Sequence, residues 1–279
     1  MIRRAMYNIK CDTHTHTIYS RHAYSTIEEN VRAAAETGME VLTSTDHFSS
    51  MLWPEQDFRN FQYLTSMDSW PRQWHGVSLL RGAEADIIDL EGHLFGHGIP
   101  VSFGIGGHPL KNIMDLDEKV LNRLDYTIAS VHAKDFTEGA GIVQKTEMYI
   151  KALENPHVFI LGHIGRSGVE FDLDEVLLAA KEKNKLIEIN EHSFHIAERY
   201  HTRCRSIAER CAELGVMISV STDAHISCAV GKFPKCREML GEIHFPEELI
   251  AGRDRVHFLE ALRNSGVSTL CEEDFKEEV

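Results

Sequence analysis

Along this chain, short β-rich runs alternate with helical stretches, and the strand ends repeatedly carry histidine or a carboxylate. NIKCDTH reads as a first strand, followed by His16, and MEVLTSTDH closes on Asp46 and His47. VSLLRGAEADI carries Glu84, LDYTIASVH ends at His132, HVFILGH at His163, and VMISVSTDAH on Asp223 and His225. Side chains alternate faces along a strand, so His14 and His16 point the same way, while His22 sits on the loop beyond. A lone histidine after a strand reads as a structural residue. Six strands ending alike do not read as independent accidents.

Strand–helix alternation of this kind argues for a parallel sheet, either closed into a barrel or doubly wound. Between the strands lie a capped helix in STIEENVRAAAETG and helices in EMYIKALENP, FDLDEVLLAAKEKN and RCRSIAERCAELG. With KLIEIN the chain shows seven well-marked strands, which points to an irregular barrel. At 279 residues and 43% hydrophobic content the chain can bury one large core. No linker divides it, so residues 1–279 are expected to form one domain. An aromatic insertion runs from about 48 to 76, and a helical tail from about 240 to 279. The stretch EGHLFGHGIPVSFGIGGHP, with His93, His97 and His108, reads as a second strand or hairpin at the barrel edge.

A formal charge of −14 argues against general attraction to nucleic acid or to an anionic membrane. MIRRAMYNIK has no apolar run after its arginines, and no segment reaches the roughly 20 apolar residues of a membrane span. The six cysteines form no CxxC pair and read as reduced thiols, which places the protein in the cytoplasm.

In a parallel barrel the C-terminal strand ends converge on one face, where the loops build the active site. Neutral imidazoles with a few carboxylates suit Zn, Mn or Fe rather than Ca or Mg. Cysteine is missing from these positions, so an open catalytic centre fits better than a closed structural zinc site. Nine ligands exceed the needs of one ion; with Glu84 bridging, they suffice for two or three. No GxSxG or P-loop pattern is present.

HTHT, STDH, RGAE, ASVH, LGH and STDAH follow one another in the order found in the polymerase and histidinol phosphatase (PHP) family, which this chain resembles over most of residues 8–240. RHAYS and WPR are similar to the family's small trinuclear-metal phosphatase branch. The resemblance implies a distorted seven-stranded (βα)7 TIM-like barrel holding three divalent ions. It assigns one ion to His14, His16, Glu84 and Asp223, a second to Glu84, His132 and His163, and a third to His22, His47 and His225. It implies hydrolysis of small phosphomonoesters by a hydroxide bridging two metals, with inorganic phosphate released. Glu84 and Asp223 are the central catalytic residues on this reading. Where relatives often place proline and glycine after the histidine matching His163, this chain reads HIGRSG.

Arg166 and Arg203 are the candidates to hold phosphate, out of a set that includes Arg21, Lys134, Arg199 and Arg205 near strand-end loops. His192, His195 and His201 follow the KLIEIN strand, where pocket-lining and helix-surface roles both stay open. Histidinol phosphate is one possible substrate that nothing in the residues selects. Three other readings remain: an amidohydrolase acting on C–N bonds, a PHP nuclease, and a non-enzymatic metal-binding protein. The first commonly needs a bridging lysine, and no lysine sits at a matching strand end.

Overall fold

The computed structural model describes residues 7–275. Seven parallel strands follow one another around a nearly closed barrel: β1 (Cys11–Thr15), β2 (Val41–Ser44), β3 (Val77–Asp86), β4 (Tyr126–Ser130), β5 (Val158–Leu161), β6 (Leu186–Asn190) and β7 (Ile218–Ser221). A bridge between Thr15 and Ala224, with Asp223 N donating to His14 O (2.9 Å), brings the first and last strands together. The expected distorted (βα)7 barrel is the observed architecture.

Every residue of β1, β2, β4, β5, β6 and β7 is buried. That is the condition of a parallel sheet covered on both faces. The covering helices are α1 (Ile27–Thr37), α2 (Leu116–Leu121), α3 (Ile142–Glu154), α4 (Leu173–Glu182) and α5 (Glu198–Leu214). Helix α1 starts at Thr26 and Glu29 in a reciprocal capping box and stops at Gly38, whose φ of 75° suits glycine.

The tail adds α6 (Pro234–Glu242) and α7 (Arg255–Asn264). Phe258, Leu259 and Leu262 of α7 join Cys11, Val41, Leu80, Tyr126 and Ile160 in one apolar cluster. Lys10 N donates to Gly252 O and Ile218 pairs with Ile250, so this segment closes the end where β1 and β7 begin. The opposite end is left for the site.

The insertion is made of turns at Phe58–Phe61, Gln62–Thr65 and Met67–Ser69 and a short strand, Gln73–Trp74. Phe58, Phe61, Leu64 and Met67 are buried, so most of it is packing. Its start, His47–Phe48, pairs with Glu84–Ala85 of β3. The glycine-rich stretch leads into an antiparallel hairpin, Pro100–Phe103 with Pro109–Asp115, separate from the barrel. Among the described residues, no helix is long and apolar enough to cross a membrane, and all six cysteines are free.

Candidate metal centre

At the C-terminal ends of the strands the chain gathers His14, His16, His22, His47, Glu84, His132, His163, Asp223 and His225. Glu84 is fully buried, and five imidazoles surround its carboxylate. Oε2 is 3.2 Å from His14 Nε2, 3.5 Å from His16 Nε2 and 3.0 Å from His47 Nδ1; Oε1 is 3.3 Å from His132 Nε2 and 2.6 Å from His163 Nε2. Asp223 Oδ1 lies 3.2 Å from His16 Nε2 and 3.6 Å from both His14 Nε2 and His225 Nδ1. His22 Nε2 is 3.2 Å from His47 Nε2, and its ring stacks against His225 at 4.7 Å.

Local backbone produces this convergence. After β1, Thr17 caps a single helical turn, and Arg21 at φ 60° swings His22 back over the strand end. His163 and Asp223 also sit at positive φ, 28° and 54°. Non-glycine residues there are uncommon and must be held by their surroundings. His163 N donates to Glu188 Oε2 (2.7 Å), and Asp223 N to His14 O.

Glu84 Oε2, Asp223 Oδ1, His47 Nδ1 and His163 Nδ1 are buried without a hydrogen-bond partner. His14 Nε2 and His16 Nε2 face each other at 3.0 Å, while the Nδ1 of each ring is engaged by Glu188 and by Ser20. Buried polar atoms without a partner are costly. Acceptor atoms crowded around shared points are what a bound cation satisfies, so the residues present fit divalent metal. Within each of three groups, ligand atoms lie within 4.8 Å of one another: His14, His16 and Asp223; His47, Glu84 and His132; His16, His47 and His225.

The electrostatics fit this for the two carboxylates and for His16 and His22, while His14 and His132 are drawn toward the charged form by the carboxylates that a cation would neutralise. Burial alone would raise the carboxyl pKa values, but neighbouring His132 and His14 hold Glu84 well below the usual range. For Asp223, His14 and Arg166 likewise overcome burial. Burial and the nearby His47 lower His16 strongly and His22 to about 4. Those rings are therefore neutral, as metal ligands must be. Burial also opposes charge on His14 and His132. Around His14, however, Glu188 and Glu84 win and raise it; around His132, Glu84 and Asp86 lift it to about 10.

A further set of side chains orients these rings, and reading strand ends alone misses them. Fully buried Glu188 accepts from His14 Nδ1 (2.7 Å), Ser221 Oγ (2.5 Å), His163 N and Asn190 Nδ2 (3.3 Å). Asp86 Oδ1 holds His132 Nδ1 at 2.7 Å. Asp46 accepts from Ser20 Oγ (2.6 Å), which in turn contacts His16 Nδ1 at 3.0 Å. Ser130 Oγ donates to Glu84 Oε1 at 2.7 Å. Such partners fix tautomer and ring orientation. The available signal was parity: Glu188 is a carboxylate inside a buried aliphatic run, and Asp86 lies two residues beyond Glu84 on the same face.

The centre opens into a cavity of about 350 Å³ lined by Met51, Arg166 and His192 beside the cluster itself. Arg166 donates to Asp223 Oδ2 at 2.6 Å. Arg203 lines a neighbouring recess instead and donates to Val169 O at 2.8 Å. Arg21 stacks over Trp53 (3.7 Å), and Arg205 pairs with Glu209 and Glu242, so neither points at the cluster. His195 approaches Glu191 (3.4 Å), and His201 contacts the Phe194 carbonyl. His93 stacks on His97 near the hairpin; there His97, Asp115 and Asp117 form a separate group whose two carboxylates accept from Gly98 N and Glu118 N.

A family model described as PHP domain matches residues 12–192. A protein of Clostridium botulinum (strain Okra) named "Probable phosphatase" is 39% identical over 255 residues, covering 91% of this chain and 95% of its own. One from Caldicellulosiruptor saccharolyticus with the same name is 35% identical, covering 92% and 98%. Among solved structures, a histidinol phosphate phosphatase from Lactococcus lactis, complexed with zinc, L-histidinol and phosphate, shares the fold. It superposes with a TM-score of 0.53 at 17% identity, covering 85% of this chain and 94% of its own.

Proposed function

The chain belongs to the PHP family, and from that premise we propose that it is a metal-dependent phosphatase of small phosphomonoesters. The observation that carries this reading is the convergence of seven imidazoles on buried Glu84 and Asp223, with Glu84 Oε2, Asp223 Oδ1, His47 Nδ1 and His163 Nδ1 left without a hydrogen-bond partner and ligand atoms grouped at common points. The names of the curated relatives supply the reaction class. Residues 1–279 are taken as one PHP-type barrel, with the tail as its floor.

In this reading His14, His16, Glu84 and Asp223 hold one divalent ion, Glu84, His132 and His163 a second, and His22, His47 and His225 a third. Zn, Mn and Fe all suit this donor set. When bound, such ions polarise phosphoryl oxygens, acidify water and offset charge on the leaving oxygen. The chain's own residues do the rest. Glu84 and Asp223 stay ionised, and Glu188 and Asp86 keep the Nδ1 protons of His14 and His132 in place, leaving each Nε2 free. Arg166, at the cavity wall, offers its guanidinium to the phosphoryl oxygens. Inorganic phosphate is the co-product.

No side chain is needed as a covalent nucleophile. Ser20 contacts His16, but it is fully buried and donates to Asp46. An amidohydrolase reading lacks its bridging lysine: among the described residues the buried lysine is Lys185, which donates to Val158 O at the opposite end of the barrel.

The test is a substrate panel with the protein loaded with Mn, Zn or Fe: p-nitrophenyl phosphate, its bis ester, oligonucleotides and amides. Monoester hydrolysis that is lost to a chelator and restored by metal is expected. Activity confined to amides or oligonucleotides overturns the reading, and metal binding without turnover of any substrate favours a non-enzymatic role.

A further inference from the structure

Beside the histidine cavity lies a second recess of about 560 Å³, lined by Lys134, Arg166, Arg199 and Arg203 and by no carboxylate. The chain carries 43 acidic against 29 basic residues, so a recess lined by cations, of which only Arg166 is paired with a carboxylate, runs against its prevailing charge. Lys134 Nζ donates to Gly168 O (3.2 Å), Arg203 to Val169 O (2.8 Å) and Arg199 to Tyr200 Oη (3.0 Å). Among the described residues none of these three forms an ion pair, so their charge is unneutralised.

The floor is the HIGRSG loop itself, where this chain departs from the pattern it resembles. Gly168 has φ +71°, and a Cβ there would lie 3.1 Å from Lys134 Nζ; the glycine lets the lysine cross the loop. Arg166 lines both this recess and the histidine cavity, so the two adjoin on either side of its side chain. With Arg166 committed to the reacting phosphoryl group, Lys134, Arg199 and Arg203 remain for something else.

We propose that this recess binds a second anionic group, carboxylate or phosphate, carried on the organic portion of the substrate. The inference rests on the phosphomonoesterase reading for its reaction, while the recess itself can be probed by binding alone. Charge-assisted hydrogen bonds from two or three cations should favour a doubly anionic substrate by roughly tenfold or more. The preference should weaken with added salt.

Two measurements test it. In the first, kcat/KM is compared for 3-phosphoglycerate and glycerol 3-phosphate, which share a carbon skeleton and differ in the distal carboxylate. In the second, calorimetry on the metal-loaded protein compares a series of ω-phosphonoalkanoates and α,ω-bisphosphonates with the matching alkylphosphonates. A tenfold or greater preference for the doubly anionic member, collapsing in Lys134→Met/Arg199→Met with Tm retained, supports the proposal; the carboxylate and phosphonate arms identify the group preferred. Hydrolysis of both phosphate esters with no preference at any chain length overturns the recess and leaves the phosphatase reading intact. Discrimination among phosphonates without any turnover overturns the phosphatase reading and keeps the recess. Equal binding of all phosphonates overturns the proposal whatever the activity.

Discussion

Replacing Glu188 with glutamine changes one atom and should cost the centre a metal ligand. Oε2 faces the His163 backbone N–H, which cannot become an acceptor, and the Asn190 amide. Oε1 faces His14 Nδ1 and Ser221 Oγ. Turned toward His163, the new NH2 would leave buried donors head to head, at about 1–3 kcal/mol each. Turned toward His14, it finds groups that can adapt: Ser221 rotates to accept, and His14 switches tautomer. The His14 proton then sits on Nε2, the nitrogen 3.2 Å from Glu84 and 3.6 Å from Asp223. Binding metal would require returning that proton to Nδ1 and breaking the new hydrogen bond. Affinity at that position should fall about 10- to 100-fold, or about 1.4–2.8 kcal/mol. Chelator competition with Zn or Mn measures this directly. Ser221→Ala, which leaves the carboxylate on His14, should change affinity only a few-fold. Full stoichiometry at wild-type affinity in Glu188→Gln would refute the tautomer argument.

At Gly162 an added Cβ would lie 2.3 Å from Ser130 Oγ and 2.7 Å from Ile128 Cγ2. Gly162→Ala should therefore lose about 1–3 kcal/mol in urea unfolding, partly recovered in Gly162→Ala/Ser130→Ala; two additive losses would argue against the contact. Arg166→Met should lower kcat/KM for p-nitrophenyl phosphate by roughly 10- to 100-fold, with Arg166→Lys recovering only part of it, because a point charge replaces a fork. Unchanged kinetics would remove Arg166 from the phosphoryl group. Burial lowers the Lys185 amine to about 8. Between that value and its ordinary 10.5 the unfolded chain holds a proton the folded chain lacks, so stability should rise with pH across this window. Lys185→Met should lack that gain, of order 1–2 kcal/mol between pH 7.5 and 9.5. Parallel pH profiles for the two proteins would contradict it.

The strand-end residues were legible because a parallel barrel turns distance along the chain into proximity at one rim. His14 and Asp223 are far apart in sequence, yet β1 and β7 are neighbours. Glu188 was not legible from strand ends, because it lies within β6 and its partners come from β1, β5 and β7. The insertion's packing was partly written in its spacing, since Phe58, Phe61, Leu64 and Met67 recur every three residues, as a tight helical turn requires. That α7 closes the barrel floor was hidden, because its periodicity specifies an apolar face without its partner. The separation of Arg203 from the histidine cavity was likewise unreadable, since a long side chain on α5 is directed by the loop it packs against.

Anomalous diffraction from crystals of the metal-loaded protein, with metal content measured on the same sample, tests the central claim most directly. The account predicts three peaks in the strand-end cavity, with Glu84 between the first two and His22, His47 and His225 around the third. A folded chain with full metal content whose peaks lie elsewhere, leaving Glu84 and Asp223 bonded only to protein, would contradict it.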